Sequence, residues 1–168
     1  TVACSGGQSL TMTPKSSFVN AANGTGMYYL NSITVSNIPN SCYGVDFTIN
    51  AYGESSSTAV PILNSTSSGV LVHNNGGTFV SSYGTTISSG SGTFTLTITN
   101  PIALSTSVYK LVMQSSAHKT WTCAQGGSCS VGDAGPGGGT VFYVSAGFTC
   151  GENYSSTCKY MEAAPASW

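Results

Sequence analysis

The sequence predicts an all-β protein. An immunoglobulin-like antiparallel β-sandwich is expected over residues 1–118, and a small disulfide-rich, Gly/Cys-rich β module over residues 119–168, incomplete or docked on the sandwich. Three observations predict this. Apolar and polar residues alternate in several short runs, the period of half-buried strands. Turn-forming clusters punctuate those runs at short, fairly even intervals, and no segment sustains a helical period. Six cysteines occur, none in a C-x-x-C pair, which points to disulfides rather than zinc.

The strands follow in order. The clearest is Thr93–Thr99, where Phe94, Leu96 and Ile98 share one face and threonines the other. Val45, Phe47 and Ile49 repeat the pattern, as do Ile33 with Val35 and Tyr109 with Leu111 and Met113. Ser9–Thr13, Ala59–Leu63, Val70–His73 and Thr78–Tyr83 are weaker candidates. AANGTG, NIPNS, GESSS, NSTSSG, HNNGG, SSGSG and TNP separate them. The sandwich therefore has seven to nine strands. After it the composition shifts to glycine. One strand is expected at Thr140–Ser145, then a cysteine loop from Cys150 to Cys158.

For the cysteines the expected pairing is Cys4–Cys42, Cys123–Cys129 and Cys150–Cys158. The last two close short local loops, and the first ties an N-terminal strand to the start of a later one. Such bonds imply an oxidising compartment, so the chain is expected to be secreted or displayed at a cell surface. It starts at Thr1 and reads as a mature or excised piece.

Charge excludes further classes. Only 5% of the 168 residues are charged, the net charge is −1, and every basic residue is a lysine. No basic patch can form, which argues against nucleic-acid binding. No apolar run is long enough to span a membrane. Sparse charge also leaves no long-range barrier to self-association.

GDAGPGGGTVFYV, Gly132–Val144, looks at first like a phosphate cradle. A P-loop needs Lys-Ser or Lys-Thr after its last glycine, and Gly139 is followed by Thr140-Val141. A dinucleotide fingerprint needs a third glycine where Thr140 stands, and a helix where TVFYV reads as a strand. The stretch is therefore read as a flexible hinge between sandwich and module.

No catalytic constellation is spelled out, and no enzyme, cofactor or metal site is expected. His73 and His118 lie beside turns with no recognisable acid partner and read as surface or sheet-edge residues. Of the acids Asp46, Glu54, Asp133, Glu152 and Glu162, only Asp46 sits inside a strand, on the face opposite Val45, Phe47 and Ile49. A calcium ion shared by Asp133 and Glu152 is a minor reading. A buried acid could also assist an amide bond between a lysine, Lys15 or Lys110, and a strand asparagine. Trp121, Tyr28 and Tyr83 are weak candidates for stacking on a glycan. Asn23, Asn64 and Asn153 head glycosylation sequons.

Two longer stretches resemble known proteins. SNIPNSCYGVDFTINAYG with SGTFTLTITNPIALSTSVYKLVMQ resembles β-sandwich repeats of secreted and cell-surface bacterial proteins, particularly actinobacterial ones, with Asn37 where glycine is usual. GDAGPGGGTVFYV followed by CKYMEAAPASW resembles another module of such proteins, with a "GpGGGxVFYv…YlEAAPxxW" pattern. The resemblance implies an exported, β-rich part of a surface or appendage protein and transfers no catalytic residue. The expected function is an extracellular structural subunit of a surface layer, pilus or filament, with adhesion as a further role. Thr1–Pro14 or the C-terminal module would complete a neighbour's sheet by strand addition. The alternative is a module that binds glycans or a host surface.

Overall fold

The computed structural model describes residues 2–20, 26–63 and 69–164. Asn23, Asn64 and the closing Trp168 lie outside them. The chain divides into two units, Thr1–Lys119 and Thr120–Trp168, each described here by itself.

The first unit is an antiparallel β-sandwich. One sheet has β1 (Thr11–Val19), β2 (Met27–Ser36), β7 (Thr85–Gly90) and β8 (Thr93–Ile98) in the order β1-β2-β8-β7. The other has β3 (Val45–Tyr52), β4 (Ala59–Val60), β5 (Gly69–Asn75), β6 (Thr78–Ser81) and β9 (Lys110–Ala117). β3 is its spine: β9 pairs along its whole length, while β5 and then the short β4 share its other edge.

Alternation places the core between the sheets. Phe94, Leu96 and Ile98 face Phe47, Ile49, Val70 and Val72, all fully or almost fully buried. Phe94 forms the centre, its ring 4.9 Å from that of Phe79 and 6.4 Å from that of Phe47. In β2 the pattern breaks parity. Both Leu30 and Ile33 point inward because the register slips at Asn31: Lys15 pairs with Ser32 but Ser16 with Leu30. One extra residue in a strand inverts the faces beyond it.

The strand expectations hold for the core and shift at the margins. Tyr109 does not join Leu111 and Met113. It precedes β9, is 71% exposed, and donates its N–H to Tyr52 O. β7 arises from TTISSG, and β1 runs on through Pro14, a residue tolerated there because β1 is an edge strand.

Polar fastenings hold the ends together. Asn74 is fully buried. Its Nδ2 donates to Cys42 O and its Oδ1 accepts from Gly77 N, both at 2.8 Å. Gly76 and Gly77, with φ of 62° and 95°, form the two-residue turn that this contact needs. Across the β6–β7 corner, Phe79 N–H donates to Ser89 Oγ at 2.9 Å. The N-terminal segment is anchored by the Cys4–Cys42 disulfide, by Cys4 N–H to Ser115 Oγ, and by Ser41 Oγ to Cys4 O. A cavity of about 530 Å³ lies there, lined in part by Val2, Leu10, Met12, Val35 and Met113. Thr1–Pro14 is the segment expected as a donor strand. Its described part is tied down within its own unit, and Thr11–Pro14 already pair with β2.

The second unit is a two-stranded antiparallel sheet, β10 (Thr140–Cys150) and β11 (Ser156–Ala163), preceded by a cysteine loop. The disulfides are Cys123–Cys129 and Cys150–Cys158. The second bridges the base of the β10–β11 connection, so the loop expected from 150 to 158 narrows to 151–155, and Ser156, Thr157 and Cys158 open β11. A capping box between Thr122 and Gln125 starts the short 3₁₀ turn at Cys123.

Candidate functional site

Asp46, His73 and His118 meet on the outer face of the β3 sheet. Asp46 alternates outward from Phe47 on the spine strand. β5 places His73 directly opposite it, because Val70 and Val72 point inward and His73 does not. His118 follows Ala117, the last residue of β9, two residues beyond the Asp46–Ser116 pair. Both imidazole Nδ1 atoms lie 2.8 Å from the same oxygen, Asp46 Oδ1. The other oxygen, Oδ2, accepts Lys119 N–H at 3.1 Å. The two rings stack at 3.8 Å with a 36° tilt.

The stacked rings cover the carboxylate. The Asp46 side chain is 6% exposed, that of His73 18% and that of His118 45%. Burial pushes the Asp46 carboxyl up. The hydrogen bonds from His118, Lys119 N–H and His73, with the charge of His118, outweigh burial and hold it below its ordinary value of 3.8. An ionised carboxylate only accepts hydrogen bonds, so each histidine presents an Nδ1–H to it.

This grouping corrects two expectations. His73 and His118 are not isolated sheet-edge residues; they share one acid, and His73 lies on an inner strand. Asp46 does not serve an amide crosslink. Lys110 pairs with Tyr52, six residues along β3 and about 20 Å away, and its ammonium lies over the Tyr52 ring. Lys15 is exposed on β1 of the other sheet. Among the described residues Asp46, His73 and His118 are the group of three with ligand atoms close enough to hold a metal ion; Asp133 and Glu152 belong to no such group.

The glycine-rich stretch is a second site-like feature, and it lies inside the second unit rather than at a hinge. Gly137 N–H donates to both Glu162 carboxylate oxygens, at 3.2 and 3.0 Å, and Gly139 N–H to Oε2 at 3.3 Å. A Cβ at Gly135 would overlap the Glu162 carboxyl. The loop is thus an anion-binding nest whose anion is the protein's own side chain. Gly132 N–H to Val141 O and Val141 N–H to Asp133 O fix it against β10.

Tyr28 and Tyr83 stand apart within the first unit. Tyr28 is 61% exposed on β2 and packs edge-on against Phe18; Tyr83, 58% exposed, precedes β7 two strands away. Trp121 belongs to the second unit, is half-buried, and has a buried Nε1–H with no partner among the described residues.

Comparison with protein-family models, curated proteins and solved structures returns no match for the chain. No helix among the described residues is long and apolar enough to cross a membrane.

Proposed function

We infer that the protein is a non-enzymatic extracellular structural subunit of a bacterial surface layer, pilus or filament, whose copies associate through the β10–β11 hairpin. The observation that carries this is the hairpin's exposed apolar surface. Phe142, Tyr143, Val144 and Met161 are each 40–55% exposed on a sheet of only two strands. Two strands alone are marginal in water and gain stability from a third. Among the described residues the loop pairs with β10 as far as Val141, and the outer edge of that strand beyond it offers a place for strand addition. Sparse charge leaves nothing to oppose contact between copies. Three disulfides suit an oxidising exterior.

Sedimentation over a concentration series, with electron microscopy of the same samples, tests the reading. Concentration-dependent oligomers or fibres are expected, and Val144→Lys should suppress them. A chain that stays monomeric at every concentration would sink the proposal.

A further inference from the structure

We propose that Asp46, His73 and His118 form a binding site for a divalent transition-metal ion of the Zn²⁺ class. The inference is independent of the assembly reading, since it concerns a different unit and a different measurement. Two imidazole nitrogens and one carboxylate oxygen make a borderline N₂O set, which suits Zn²⁺ or Cu²⁺ better than Ca²⁺ or Mg²⁺.

The geometry is prepared for an ion. Each Nδ1 lies 2.8 Å from Oδ1. Two ligand atoms at that spacing subtend about 85° at an ion with bonds of about 2.05 Å. All three ligands thus gather on one face of the ion. The His118 side chain is 45% exposed, so solvent reaches the group from its side. Lys119 N–H holds Oδ2, so Oδ1 is turned to the histidines. Such outer hydrogen bonds fix the orientation of a ligand. Cross-strand pairing fixes Asp46 and His73 on rigid elements. On binding, a neutral imidazole moves its Nδ1 proton to Nε2 by tautomer change, whereas an imidazolium, whose Nε2 already carries a proton, releases its Nδ1 proton to solvent. The ion takes the place of both protons between the rings and the carboxylate.

The test is calorimetric titration of the untagged full chain with ZnCl₂, after EDTA treatment and desalting. One Zn²⁺ per chain is expected. His73→Ala and His118→Ala should each weaken binding at least about tenfold, the lower bound seen when even an outer-shell partner is lost. Co²⁺ provides a second readout: visible absorption bands appear in the parent chain and vanish in His118→Ala. Because the His118 ring is half-exposed, that variant should fold, and its circular dichroism should match the parent. No heat and no Co²⁺ bands in the parent chain would overturn the site. So would an affinity unchanged in both variants, since the ion would then sit elsewhere.

Discussion

Glu162 holds the glycine loop shut through Gly137, whose amide donates to both carboxylate oxygens. Glu162→Ala should therefore free the Gly137 and Gly139 amides. Hydrogen exchange at these two positions is expected to speed up about tenfold, equivalent to about 1.4 kcal/mol of local opening. Exchange in the β3 sheet should not change. Unaltered rates at Gly137 and Gly139 would mean the loop is held by its backbone contacts to β10 alone.

Acid should weaken the first unit through Asp46. Its carboxyl is held below the ordinary value when folded, so the unfolded chain binds the proton first. The stabilisation is complete above the unfolded value of 3.8 and is lost as pH falls through the lower folded value. Urea midpoints of metal-free parent and Asp46→Asn should differ at neutral pH and converge as pH falls below the unfolded value of 3.8. A gap that widens on acidification would contradict the assignment.

Asn74→Ala leaves Cys42 O and Gly77 N–H without their partner in a buried place. The expected cost is about 2–3 kcal/mol. Denaturant unfolding measures it, with the slope unchanged if the fold persists.

The Cys4–Cys42 bond spans 38 residues. By the chain-entropy argument its removal costs about 4 kcal/mol. The double variant Cys4→Ser, Cys42→Ser should also release the segment that covers Leu10, Met12 and Met113, and so bind a hydrophobic dye. Loss of stability without dye binding would show that the segment stays in place by packing and its bond to Ser115.

The core was legible in the sequence because it is local. Phe94, Leu96 and Ile98 announce a buried face by alternation alone, and neighbouring strands repeat the signal. β7 was not legible: Thr85, Thr86, Ser88 and Ser89 surround a single Ile87, so neither face is apolar. β11 was hidden by its cysteine, which suggested a loop where the disulfide instead clamps two strands. The Asp46 cluster depends on register between segments distant in the chain. A signal was nonetheless present, since Asp46 and His73 each sit opposite an inward-facing run and so share the outer face once β3 and β5 pair. His118 carried none, because it lies past the end of its strand.

The Asn31 bulge has a consequence for how this sandwich tolerates length changes. An insertion or deletion in β2 is ordinarily ruinous, because it exchanges inside for outside along half a strand. Here β2 already contains one such exchange and is built around it, with Leu30 inward on one side and Ile33 on the other. Deleting Asn31 would straighten the ladder and leave Leu30 two residues from Ile33, so both would still face inward and the sandwich should tolerate the loss. The chain thus spends one residue as a phase shifter between the rim of the sheet and its core.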